Sequence, residues 1–268
     1  MTDGDERRQV QCVVCGDWYD ERGRCMHKAK GAATMDMESQ MSTGDWAKRS
    51  AKEHCESNEM LHVPGTGMPD RPPWAPTWSG LRVCLLRPRP EQINLPDIAL
   101  SLAGISRYAG LGETVAVHSL RTAAVLEAWR ARPVAVLAGL VHDAPEAYTG
   151  DLTRPVQRLI GRAGMAAYRA AHARILDCLI AEVLALPVLP TPDDWALVKQ
   201  ADNAAGLAEA RACGWSAADW YVAGEGPPVG MIEAAAAWRP ACIDGGAAMW
   251  RSDVLTLVNA VFEAAARA

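Results

Sequence analysis

Apolar residues recur along the chain at i, i+3, i+4 and i+7 from about residue 81 onward, and no long alternating stretch interrupts them. This periodicity predicts helices over Pro96–Ser106, Val115–Ala131, Val134–Asp143, a segment after Asp151 broken near Gly161, Ala163–Leu184 and Asp193–Ala212, with a last helix starting near Asp253. Pro-Asp at 96–97 opens the first of these as a capped turn, and Pro133 stops the second. Residues 215–252 mix aromatics with breakers, so helix and loop alternate there. The fold class read from the pattern is all-α.

Before residue 81 the pattern fails. Residues 1–80 are polar and rich in Gly, Met and Pro, and the stretch from Pro64 to Trp78 (PGTGMPDRPPWAPTW) reads as a linker without regular structure. The expected organisation is a Cys-rich segment at 1–30, a low-order linker at 31–80, a helical core at 81–212 and a helical extension at 213–268. No fixed-period repeat is present.

Composition sharpens this picture in three ways. Half of the 268 residues are hydrophobic, but there is one Phe against ten Trp, so the core is expected to be aliphatic. Alanine runs such as Ala234 to Ala237 favour helices further. The net charge of -5 argues against broad binding to nucleic-acid backbones, although a nucleotide pocket needs only a few cations. No apolar run is long enough to span a bilayer, and the polar start MTDGDERRQ lacks a secretion-signal layout, so the expected compartment is the cytoplasm.

In a reducing compartment the eight cysteines are not expected to form disulfides. Cys84, Cys178, Cys213 and Cys242 are isolated and read as buried thiols. Cys12 and Cys15 form a C-x2-C pair followed by Gly16, and Cys25 with His27 supplies a second, tighter pair. Two readings stand side by side: a structural zinc knuckle that docks a partner, or free thiols. The surrounding Asp17, Asp20 and Glu21 weigh against a nucleic-acid partner.

Three polar sites interrupt the apolar helices: His118 in TVAVHSLRTAAVL, the doublet His142-Asp143 ending VAVLAGLVHD, and Asp202 after VKQA. A lone His on an apolar helix is usually a core residue, and a lone Asp is usually a cap. A charged Asp beside a His at the end of a buried helix is different, because burial is costly unless a cation compensates. Two imidazoles and two carboxylates suit one divalent cation: Mn, Co, Fe, Ni, Zn or Mg. Such a site activates water and stabilises negative charge on a phosphoryl group.

The order His118, His142-Asp143, Asp202 resembles the H…HD…D signature of HD-domain phosphohydrolases. The context INLPDIALSLAGISRYAG, HDAPEAYTGDLTRPV and VKQAD is similar to the subgroup of bacterial YfbR-like 5′-deoxynucleotidases and phage dNTP triphosphohydrolases, over about residues 88–212. The resemblance implies an HD-type helical bundle with His118, His142, Asp143 and Asp202 as metal ligands. It implies Glu146 as the group that activates the attacking water and Asp151 as a carboxylate near the ribose and leaving group. Arg107 and Lys199 correspond to phosphate contacts, and Tyr108 to an aromatic that stacks on base or ribose. Where the family often carries Lys, this chain has Gln157, and Arg154 or Arg158 is the expected substitute.

The expected partner is a small nucleotide, with no membrane and with homo-oligomerisation left open. The implied reaction is hydrolysis at the α-phosphate of a dNMP or dNTP. The alternatives are a non-catalytic nucleotide sensor or adaptor, and a hydrolase of a signalling nucleotide; metal content separates sensing from catalysis.

Overall fold

The computed structural model describes residues 73–216, 226–240 and 245–267, all of them within the unit 47–268. Cys12, Cys15, Cys25, His27 and most of the expected linker lie outside the described residues. The described part is mostly helical: α1 (Leu95–Gly104), α2 (Val115–Ala128), α3 (Pro133–Val141), α4 (Arg154–Asp177), α5 (Pro192–Ala212), α6 (Val229–Ala237) and α7 (Ala247–Ala266). Among the described residues no helix is long and apolar enough to cross a membrane.

The linker expectation needs correcting at its end. Trp74–Pro76 (β1) pairs antiparallel with Arg82–Cys84 (β2) in a two-stranded hairpin. Proline is tolerated here because a two-stranded sheet has only edge strands. The hairpin turn is tied to α1 by the buried Asp97, which accepts the Ser79 amide at 2.8 Å and its hydroxyl at 2.6 Å. The amide of Asp97 in turn donates to Asn94, the N-cap of α1.

Helices α2, α3 and α5 pack against one another and form the centre. Helix α2 is buried almost all round, from Val115 to Leu126, as expected of a central helix. Gly139 of α3 faces Leu126 of α2, where a Cβ would come within 2.3 Å of Leu126 Cδ1. That close approach draws the C-terminal end of α3 towards α2. Helix α5 is opened by a capping box between Thr191 and Asp194, with Arg132 also paired to the Asp194 carboxylate. Helix α4 kinks at Gly161 (φ 75°), where the sequence predicts a break, and then widens into a π-helical turn at Cys178–Val183.

The segment expected as an extension contributes to this same core. Met231, Trp250 and Val254 are fully buried in the cluster that holds Leu102, Leu126 and Leu140. Helix α7 begins at Ala247 rather than near Asp253, because Gly246 (φ 96°) provides the left-handed turn into it. The core is mainly aliphatic as expected, with Trp250 its largest fully buried side chain among the described residues. Cys84 and Cys178 are buried thiols, but Cys213 is exposed, because it lies past the buried face of α5 at its C-terminal end.

Candidate metal centre

Each central helix delivers one part of the site. His118 lies in the second turn of α2 and is fully buried. His142 caps the C-terminal end of α3, followed directly by Asp143. The last carbonyls of a helix have no partner in the helix itself. Here the side chains use them: His142 Nδ1 donates to Gly139 O at 2.7 Å, and Trp250 Nε1 donates to Leu140 O at 2.9 Å. A carbonyl can only accept, so His142 carries a proton on Nδ1, which leaves Nε2 as the ring atom turned towards the site.

The ligand-type atoms of His118, His142 and Asp143 lie within 4.8 Å of one another, a grouping that could hold a metal ion. Asp143 Oδ2 is 3.2 Å from His142 Nε2 and 3.8 Å from His118 Nε2. Asp202, on α5, adds a fourth group: its Oδ1 is 3.1 Å from His118 Nε2 and 3.8 Å from His142 Nε2. Ligands held about 2.0–2.2 Å from one cation stand roughly this far apart. The donor chemistry also fits, since two nitrogens and two oxygens suit a first-row divalent ion. His142 Nε2 is buried and faces the carboxylate oxygens of Asp143 and Asp202.

The electrostatics agree with this geometry. Burial alone would lower the proton affinity of His142, but Asp143 and Asp202 hold it well above its ordinary range. The same two carboxyls are held below theirs, against burial, chiefly by the imidazoles. The cluster therefore calls for positive charge among its carboxylates.

Glu146 follows through a tight turn. Amides of Ala144, Glu146, Ala147 and Tyr148 bond to carbonyls three residues back, so the chain passes Pro145 without α-helical bonds. A period of three brings Glu146 round over Asp143. Its Oε2 is buried without a hydrogen-bond partner among the described residues, and burial followed by Asp143 and Asp151 pushes its carboxyl up to about 10. Asp151 receives the backbone N–H of Tyr108, and burial raises its pKa. The turn carrying both acids is pinned by α4: Thr149 Oγ1 bonds His172 Nε2 at 2.7 Å, and Tyr168 OH donates to Gly150 O at 3.1 Å.

Arg107 and Tyr108 occupy a turn after α1 in which Tyr108 and Ala109 both adopt left-handed backbone (φ 56° and 57°). Two such non-glycine residues cost on the order of 1–3 kcal/mol each and persist only where surroundings enforce them. Here a bridge between Ser106 and Thr114 closes the turn, and the Arg107 amide donates to Glu113 O at 2.9 Å. Gly112 sits beneath the Tyr108 ring, where a Cβ would lie 2.5 Å from Cδ2. The turn leaves Arg107 partly buried, with Nη1 3.5 Å from Asp143 Oδ2.

Tyr108, the aromatic expected to stack on base or ribose, lies inside the protein. It is buried, edge-on to Trp215 at 5.2 Å, and its hydroxyl donates to Glu209 at 2.9 Å, because the left-handed turn directs it into the protein. Lys199 is exposed and pairs with Asp202 Oδ2 at 2.6 Å. Arg154 stands at the first position of α4, and Gln157 turns back to donate to Leu152 O at 2.7 Å.

The sequence reading missed Glu209. It is buried on α5, accepts from His118 Nδ1 at 2.7 Å, and lies 3.1 Å from Arg107 Nε. Burial would raise its carboxyl, but His118 and Arg107 outweigh that and hold it at about 2. The available signal was its position seven residues after Asp202, two turns along the same helix face.

No family model matches the chain. An uncharacterized protein of Rhodobacter capsulatus is 35% identical over 155 residues, covering 52% of this chain and 69% of that protein. The uncharacterized protein YfdR of Escherichia coli is 31% identical over 153 residues, covering 57% of this chain and 79% of YfdR.

Proposed function

The chain belongs to the family of these two relatives, and we propose that it is a metal-dependent phosphohydrolase of the HD type that cleaves a deoxynucleotide at the α-phosphate. One observation carries the reading: imidazoles and carboxylates from three separate helices converge within the spacing that ligands of one cation take. Resemblance of the motifs around His118, His142-Asp143 and Asp202 to HD phosphohydrolases supplies the substrate class.

His118, His142, Asp143 and Asp202 would hold one divalent cation, of the Mn, Co, Fe, Ni, Zn or Mg group. When bound, the cation makes a water easier to deprotonate and offsets negative charge on the phosphoryl group. Glu146 has an unpartnered carboxyl oxygen beside Asp143, and with a cation offsetting the neighbouring carboxylates it would ionise and take the proton of the attacking water. Arg107 neutralises a phosphate oxygen, and its fork suits that contact better than an ammonium would. Lys199 and Arg154 supply further positive charge. The water oxygen joins the α-phosphorus, the bond to O5′ breaks, and O5′ leaves with a proton given by Asp151, whose carboxyl burial raises, the proton taken by Glu146 balancing the one given. The products are the deoxynucleoside with phosphate from a dNMP, or with triphosphate from a dNTP.

The test offers purified full-length protein deoxynucleoside mono- and triphosphates with Mn or Co. Release of phosphate or triphosphate with the deoxynucleoside is expected. Metal-loaded protein that turns over no nucleotide of the panel would overturn the hydrolase reading in favour of a nucleotide sensor.

A further inference from the structure

Glu209 takes no part in the chemistry above, yet it touches both halves of the site. It shares a face of α5 with Asp202, so the helix that supplies a ligand also supplies this acid. An ionised carboxylate is nearly absent from protein interiors unless its oxygens are used. Here they are divided. Oε1 accepts the His118 Nδ1 proton at 2.7 Å, which leaves Nε2 facing Asp202. Oε2 accepts the Tyr108 hydroxyl at 2.9 Å and stands 3.1 Å from Arg107 Nε.

The first contact is the arrangement by which an outer carboxylate fixes the tautomer and raises the basicity of a metal-binding imidazole. The second holds the left-handed turn that aims Arg107. Arg107 is itself shared, because its Nη1 reaches Asp143. Of the ion pairs that Arg107 makes with Asp143 and Glu209, the one to Glu209 is the shorter, so a cation that drew on Asp143 would leave this contact to hold the guanidinium.

We propose that Glu209 is a positioning residue that ties the metal ligand His118 to the Arg107–Tyr108 turn, so that cation and phosphate binding depend on one carboxylate. The proposal rests on the hydrolase reading, and its test separates the two.

Full-length protein stripped of metal is titrated calorimetrically with Mn(II), and then with inorganic phosphate at saturating Mn(II). Glu209→Gln keeps the size and one acceptor but loses the charge. It is expected to bind Mn(II) about 10–100-fold more weakly and to bind phosphate more weakly even at saturating metal. Tyr108→Phe removes one hydroxyl from the Oε2 side alone, so Mn(II) affinity should hold while phosphate affinity falls. A residue that merely supports the fold would not divide the two titrations in this way.

Wild-type protein that binds no Mn(II) would remove the hydrolase reading and this role with it. Wild-type protein that binds Mn(II), with Glu209→Gln matching it in both titrations, would overturn the role of Glu209 alone. If Glu209→Gln fails to fold, Tyr108→Phe decides: phosphate affinity equal to wild type there overturns the tie.

Discussion

The indole of Trp250 donates to the carbonyl of Leu140 at 2.9 Å, two residues before the His142-Asp143 pair. A residue over a hundred positions away in the chain thus closes the helix that presents the candidate metal ligands. Trp250→Phe would keep most of the packing but leave that buried carbonyl without its donor, at a cost of about 1–3 kcal/mol. Trp250→Ala would add a cavity and cost about 3–5 kcal/mol. Urea unfolding of both variants should give this order, and Trp250→Phe as stable as wild type would show that the bond contributes nothing.

The ligands are expected to divide from Glu146 in their effects. His142→Ala and Asp143→Ala should lose bound metal and activity together. Glu146→Gln should keep metal and lose about 100- to 10,000-fold in rate, the range for a general base. Elemental analysis beside steady-state rates measures both, and a Glu146→Gln enzyme with full activity would remove its catalytic role.

Glu146 also gives the metal-free protein a pH signature. Its carboxyl is pushed up to about 10 in the fold, by burial first and then by Asp143 and Asp151. A raised carboxyl stabilises the folded state fully below its unfolded value, and that stability is lost as pH rises towards the folded value. The melting temperature of metal-free protein should therefore fall between pH 6 and pH 9, and Glu146→Gln should fall less. Equal slopes for the two proteins would contradict the burial of this acid.

The capping box at the start of α5 is a test of the scaffold. Thr191 Oγ1 accepts the Asp194 amide, and the Asp194 carboxylate takes the Thr191 amide and hydroxyl. Thr191→Ala should cost about 0.5–2 kcal/mol. Because Asp202 lies several turns away, the metal affinity should not follow. Thermal unfolding and metal titration of one preparation measure both quantities.

Much of the helical order was legible, because helices that bury one face repeat their apolar positions and because Pro133 and Gly161 mark the breaks. His118 and His142-Asp143 were legible for a related reason: a polar group on an apolar helix needs a purpose. Other features left no such mark. Glu209 in an alanine-rich run reads like an ordinary surface acid. Tyr108 and Ala109 carry no glycine to announce left-handed backbone, and tertiary packing enforces it. The hairpin at Trp74–Cys84 hid behind its prolines, which only an edge strand admits. Helices α6 and α7 were harder still, since their burial depends on partners distant in the chain.

The central claim is that His118, His142, Asp143 and Asp202 share one cation. Crystals of full-length protein grown with Mn(II) and measured at the manganese absorption edge test it directly. One strong anomalous peak is expected, about 2.0–2.3 Å from a donor atom of each of the four residues. A peak elsewhere, or one that leaves out His118 or Asp202, would contradict it.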